Sequence, residues 1–223
     1  GKDSMFYDFI GYDENGYSVA ISMPPTLLIS AVSVMPNLYK TVSPEFKNNG
    51  DVIYLLGETN DELGGSEYYK FLARQQGNKA TGNNVPKVNL EKNLKTYRAL
   101  EKAIQKELVV SSISVISGGL GITLAKACVG GMLGCKVSLK NLPGDATSID
   151  AKLFSESQGR ILVSISPKNI NQFEKICIGV SYVKLGKTER NGKIIITDDK
   201  NKIVETNVKK LYRIYHKFSS SQK

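Results

Sequence analysis

Histidine is nearly absent: His216, near the C-terminus, is the only one in 223 residues. Ser-His-Asp triads, HExxH metal sites and other histidine-based acid–base schemes are therefore excluded within this chain. The three cysteines, Cys128, Cys135 and Cys177, fall at no metal-ligand spacing. Two of them lie in apolar surroundings, as small core residues do, so the expectation is a reducing, cytoplasmic setting. No apolar run approaches a membrane span, and no signal peptide is recognisable. Neither a GxxxxGKS/T loop nor a GxGxxG turn occurs, which removes the two glycine motifs most diagnostic of nucleotides. The chain opens on Gly1-Lys2-Asp3 without an initiator methionine and reads as a fragment of a longer protein.

What is present is enough for one sizeable core, or one core and part of a second, with 41% hydrophobic side chains. A formal charge of +9 favours an anionic partner. The lysines, however, are interspersed with acids as on a solvated surface, and small phosphorylated ligands fit this as well as nucleic acid does. The stretch that organises the chain runs from Leu108 to Val129. Val109, Val110, Ile113, Val115 and Ile116 read as a buried strand, and Leu120, Leu124, Ala127 and Cys128 recur on one face of a helix. Gly118-Gly119 joins them. Glycines there let the backbone approach a ligand while the helix N–H groups point at it, an anion-site geometry. Taken alone, the pair reads first as plain turn chemistry.

Elsewhere, Asp13-Glu14-Asn15-Gly16 is a turn between strand-like segments, the second of which, Tyr17 to Met23, meets Pro24-Pro25. Thr26 to Val34 reads as a further strand. Val52 to Leu56 is a buried strand leading to Gly57, a polar run, and Leu63-Gly64-Gly65-Ser66 before a helix from Glu67 to Gln75. Asn89 caps a helix from Leu90 to Glu107, whose Leu94, Tyr97, Ala99, Leu100, Ala103 and Ile104 make one face. Gly130-Gly131 and Gly134 break the next helix, Lys136 to Leu139 is a short strand, and Ser-Glu-Ser-Gln at 155–158 reads as a hydrogen-bonding turn before the strand Ile161 to Ile165. A helix from Asn169 to Ile176, strands at Val180 to Leu185 and Lys193 to Thr197, and a basic amphipathic helix from Val208 to Phe218 complete the chain. That last helix reads as solvated surface.

Several stretches together resemble the C-terminal part of the phosphoribosylformylglycinamidine synthase family, within the aminoimidazole ribonucleotide synthetase superfamily. They are GKDSM at Gly1 to Met5, PPTLLISA at Pro24 to Ala31, GDVIYLLGETNDELGGSEYY at Gly50 to Tyr69, NNVPKVNLEKNLKTYRAL at Asn83 to Leu100, and LFSESQGR at Leu153 to Arg160. They keep the family's order over most of the chain. The resemblance implies an α/β (α+β) fold: a C-terminal-type domain at 40–223, preceded at 1–39 by the tail of a truncated, barrel-forming N-terminal-type domain. It also implies an ATP-dependent ligase that converts formylglycinamide ribonucleotide to its amidine in purine synthesis. ATP and Mg2+ are the cofactors of the full-length family, and a glutaminase domain or subunit delivers ammonia. The missing N-terminal half would be a further partner, the fragment alone would be inactive, and its unpaired strands would allow self-association. Neither nucleic acid nor membrane is implied.

Carried over by matching position, Gly1, Lys2, Asp3 and Ser4 would touch nucleotide phosphate, metal and substrate, with Gly118 and Gly119 as further nucleotide or substrate contacts. Some relatives have Asn where Lys2 stands, and a protonated lysine cannot ligate a metal, so no metal residue is assigned. Ile113 to Leu120 departs from the family's His-Asp-x-Ser-Asp/Glu-Gly-Gly-Leu. Ile113, Ser114, Ile116 and Ser117 replace the charged and ligand residues, and only the glycines and leucine remain. A hydroxyl in place of a carboxylate removes the charge that a hard cation needs, and Ile116 removes a donor and would exclude water from the phosphate position. The expectation is that this fragment binds neither ATP nor Mg2+. Two readings stay open: the tail of a working synthase, and a degenerate, non-catalytic assembly module of the same fold.

Overall fold

The computed structural model describes residues 8–22, 29–35, 37–77 and 82–220. The chain divides into two compact units, Gly1–Leu38 and Tyr39–Lys223. In the first, β1 (Asp8–Tyr12) and β2 (Ser18–Ser22) form an antiparallel hairpin with Tyr12 opposite Ser18. The Asp13 carboxylate closes its turn by accepting the N–H groups of Asn15 and Tyr17, both at 2.9 Å. Gly1 to Ser4 and Pro24-Pro25 lie outside the described residues. The strand expected over Thr26 to Val34 does not form within residues 29–34. Those β-branched side chains are exposed, and without a ladder partner their propensity does not suffice.

The second unit is a seven-stranded mixed sheet in the order β4-β6-β3-β7-β5-β8-β9. Its strands are β3 (Val52–Leu56), β4 (Val109–Ser114), β5 (Gly134–Ser138), β6 (Ile161–Ile165), β7 (Tyr182–Glu189), β8 (Lys193–Asp198) and β9 (Asn201–Asn207). Only β5 and β8 run parallel. The helices are α1 (Glu67–Gln76), α2 (Leu90–Gln105), α3 (Gly119–Gly131), α4 (Ile149–Phe154), α5 (Ile170–Ile176) and α6 (Val208–Ser220). β3 is an unbroken apolar run because both of its faces are covered. Ile53 and Leu55 pack into a core with Leu120, Leu124, Ala127 and Cys128 of α3. Val52, Tyr54 and Leu56 pack on the other side with Leu100 and Ala103 of α2 and Phe173 of α5. The mixed α/β class agrees with the sequence reading.

Local corrections have identifiable causes. α2 is capped by Asn89 as expected, the side chain accepting from the Lys92 N–H at 3.0 Å. Its buried face is Thr96, Ala99, Leu100 and Ala103, at i, i+3, i+4 and i+7, while Leu94 and Tyr97 are about half exposed. The helix stops at Gln105 because Glu107 takes a left-handed φ of 58°. β4 ends at Ser114, and Ile116, expected within a buried strand, is 58% exposed. Gly130 and Gly131 lie inside α3 and do not break it; a Cβ on Gly131 would sit 1.8 Å from the Phe46 carbonyl oxygen. β5 begins at Gly134, and β7 is shifted and lengthened relative to the sequence reading. α4 and β9 were not anticipated. Ser148, whose hydroxyl accepts from the Ala151 N–H at 3.1 Å, is the cap signal that marks α4.

Candidate functional site at the glycine turn

The turn between β4 and α3 is built for close backbone approach. Gly118 and Gly119 both take left-handed φ values, 85° and 66°. A Cβ on Gly119 would lie 2.7 Å from the Leu153 carbonyl oxygen and the Phe154 backbone, so the end of α4 crosses the start of α3 at backbone contact. Tyr68 of α1 stacks on Phe154 with ring centroids 4.6 Å apart and planes 7° from parallel. The starts of α1 and α3 thus meet beside the last residues of α4.

One carboxylate sits at that meeting point. Glu156 Oε1 accepts the Gly118 N–H at 2.8 Å and the Glu67 N–H, the first of α1, at 2.9 Å. Free N–H groups at helix starts attract anions, and here the chain supplies its own. The surrounding LFSESQGR segment clamps the loop after β3. Ser155 Oγ accepts from the Glu62 N–H at 3.2 Å, and Ser157 Oγ from the Asn60 N–H at 3.0 Å. Arg160 is 1% exposed. Its Nε donates to the Ser157 carbonyl at 3.1 Å, Nη1 to Thr59 Oγ1 at 3.0 Å and Nη2 to the Ser155 carbonyl.

Burial pulls the Arg160 guanidinium down to about 10, and the carboxylates of Glu62 and Glu156 oppose that shift. The group therefore keeps its proton at neutral pH. Glu62 Oε1 accepts the Lys87 N–H at 3.0 Å, while Oε2 is buried with no hydrogen-bond partner among the described residues. Its compensation is the neighbouring Arg160 charge. The Ser-Glu-Ser-Gln run is thus more than a local turn: it ties together the loop after β3 and the entrances of α1 and α3. Sequence reasoning quoted these residues and missed that role. The signal available was a hydroxyl–acid–hydroxyl run followed by an arginine, opposite the acid-rich Glu58 to Glu62.

Of the residues expected at a site, the structure places Gly118 and Gly119 at this joint, with the Gly118 N–H already engaged; Gly1, Lys2, Asp3 and Ser4 fall outside the described residues. Ser114 and Ser117 are exposed hydroxyls, and Ile116 places hydrocarbon partly in solvent, where it does not fill an enclosed phosphate position. Among the described residues, no group of three or more His, Cys, Asp or Glu is arranged to hold a metal ion. The donors present at residues 113–117 do not fit Mg2+: neutral hydroxyls replace the charged oxygens that such a cation takes. A phosphate fits no better where the Gly118 and Glu67 N–H groups already hold the Glu156 carboxylate.

Comparison with known proteins follows the same lines. PurL of Thermotoga maritima complexed with FGAR superposes with a TM-score of 0.68 at 18% identity, over 78% of this chain and 30% of that one. Phosphoribosylformylglycinamidine synthase II from the same organism gives 0.65 at 18% identity, over 78% and 28%. T. maritima PurL complexed with ATP gives 0.62 at 19% identity, over 78% and 28%. The chain therefore spans less than a third of the length of these relatives, and the likeness is one of fold. The model of the family described as AIR synthase related protein, C-terminal domain, matches residues 48–199, most of the second unit. A strand-bound core, a glycine turn opening α3 and a family match across most of the chain agree: this protein belongs to the AIR synthase related proteins and carries their C-terminal domain.

Proposed function

We propose that this chain is the C-terminal part of a phosphoribosylformylglycinamidine synthase, an ATP- and Mg2+-dependent ligase that amidates formylglycinamide ribonucleotide in purine biosynthesis. The fold shared with PurL complexed with FGAR and with ATP supports this reading. Within it, residues 40–223 are the C-terminal-type domain, which braces and closes a site whose phosphate and metal chemistry lies on the N-terminal half of such a synthase. Residues 1–39 belong to an N-terminal-type domain, and Gly1 to Ser4 reach ligand. A glutaminase domain or subunit supplies ammonia. The hairpin leaves Ile10, Tyr12, Tyr17 and Ile21 more than half exposed, which supports association through this region.

The observation that carries the reading is Glu156 seated on the Gly118 and Glu67 N–H groups. On this reading a carboxylate takes the anion position of the glycine turn, and hydroxyls stand where the resemblance implies the acids of a metal site. Gly118 and Gly119 then serve the joint, and any nucleotide contact they make is weak. Isothermal titration of this chain with ATP and Mg2+ is expected to give no measurable heat from the glycine turn. Micromolar affinity, abolished by substitution at Gly118, would refute the reading. The same filled position favours a second reading, a degenerate assembly module. Amidine formation from ammonia by the full-length protein separates the two, since only a working synthase supports it.

A further inference from the structure

Apart from the Glu156 joint, the second unit carries a cleft of about 240 Å³ between α2, the loop after β3 and the turn leading into β7. α2 and its cap present Asn89, Lys92, Asn93 and Thr96 to it, a spacing of i, i+3, i+4 and i+7 that makes one face. Glu58 is the one carboxylate in the lining, against Lys87, Lys92 and Lys95. It is held in place: Lys92 Nζ donates to its two oxygens at 2.9 and 2.8 Å, and Ser181 Oγ donates to Oε1 at 2.9 Å.

That pairing fixes the Lys92 ammonium at the wall of the cleft and neutralises only one of the three positive charges. Lys95 pairs with Glu91 at 3.0 Å, but both side chains are largely exposed, so the pair is weak and the ammonium remains available. Lys87 Nζ and the Asn93 amide make no hydrogen bond among the described residues. An excess of ammonium over carboxylate selects an anion. An unengaged amide, donor and acceptor side by side, suits a hydroxyl. The volume is below that of drug-sized pockets.

We infer that this cleft binds a small phosphate-bearing metabolite, with the phosphate held by Lys87, Lys92 and Lys95 and a neighbouring hydroxyl by Asn93. It needs neither the glycine turn nor a metal, and it stands whether or not the synthase reading does. The probe is glycerol 3-phosphate, titrated into the isotopically labelled chain by NMR, with inorganic phosphate and glycerol as controls. Saturable shifts are expected at the Asn93 side-chain amide and the Lys92 and Ser181 N–H groups, with a Kd at or below about 1 mM. Inorganic phosphate binds more weakly, and glycerol alone does not shift these signals.

The Lys87→Gln/Lys95→Gln variant, altering two exposed side chains, keeps the wild-type melting temperature and binds at least ~10-fold more weakly, a difference of about 1.4 kcal/mol. Asn93→Ala narrows the preference for glycerol 3-phosphate over inorganic phosphate. Absence of saturable shifts at these residues overturns the inference, as does unchanged affinity in the double lysine variant. Shifts confined to Gly118 and Gly119 overturn it as well, and those alone would also count against a carboxylate-filled turn.

Discussion

Removing the Glu156 carboxylate is the most direct perturbation of the joint. Glu156 Oε1 takes two backbone N–H groups from the starts of two helices, at 2.8 and 2.9 Å. A hydrogen bond to a charged group contributes roughly 1.5–3 kcal/mol, and an N–H left unsatisfied costs about 1–3 kcal/mol. Glu156 is only half-buried, so water recovers part of that loss, and Glu156→Ala is expected to destabilise the protein by about 2–4 kcal/mol. Glu156→Gln keeps an acceptor oxygen and loses only the charge, for about 1–2 kcal/mol. At roughly 2–4 °C per kcal/mol for a chain of this size, the alanine variant melts about 5–15 °C lower. Calorimetry and urea denaturation read both effects. Acetate is the diagnostic addition, because the alanine variant reopens an anion position lined by two N–H groups. Acetate is expected to raise the melting temperature of that variant and to leave wild type unchanged. An alanine variant as stable as wild type and indifferent to acetate would show that the carboxylate does not hold the joint.

Arg160 and Tyr54 extend the same logic to the core. Arg160→Met removes three hydrogen bonds and leaves Glu62 and Glu156 without their buried counter-charge; urea denaturation is expected to show a loss of about 3–5 kcal/mol. Arg160→Lys, which keeps the charge but not the planar fork, recovers only part of it. Tyr54 is buried and donates to Glu174 Oε1 at 2.7 Å; burial first, then the Glu174 bond and charge, raise its phenol well above the ordinary value. A group raised on folding contributes stability that is whole below its unfolded pKa, about 10 for tyrosine, and is lost as pH rises beyond it. Denaturation between pH 9 and 11 is expected to show stability falling above about pH 10, by up to ~1.4 kcal/mol per pH unit from this group. Tyr54→Phe removes that component of the slope, and an identical slope in the variant would refute the assignment.

The parts legible in the sequence are those where local chemistry and burial agree. β3 and β6 were readable to the residue because a five-residue run, apolar but for Ser164 and covered on both faces, has no other use. α2 announced itself through the Asn89 cap, and α3 through Leu120, Leu124, Ala127 and Cys128, all essentially buried. The errors arose where tertiary contact decides. Gly130 and Gly131 read as breakers, but in the fold they let Glu45 and Phe46, respectively, approach α3. β9 has modest propensity and forms by pairing with β8. Leu94 and Tyr97 are apolar residues that the fold leaves about half exposed. At the site, the glycine turn was legible and its occupant was not: Glu156 is thirty-eight positions from Gly118 and eighty-nine from Glu67, a pairing that no local pattern encodes.

The replacements at residues 113–117 and the seating of Glu156 form one electrostatic arrangement. An acid at 114 or 117, as the family pattern has, adds negative charge beside a turn whose N–H groups already hold a carboxylate. Such charge is tolerable when a divalent cation offsets it. With hydroxyls at Ser114 and Ser117, no further carboxylate stands beside the one that Glu156 places on the starts of α1 and α3. Arg160, buried and charged, then balances Glu62 and Glu156 from behind. The features kept here are therefore those the backbone requires: glycines where α4 crosses α3, and a carboxylate and guanidinium where helix starts and a loop converge. The missing features are those only a ligand requires. A domain under this division of constraints supplies the anion at its own helix starts and the counter-charge behind it.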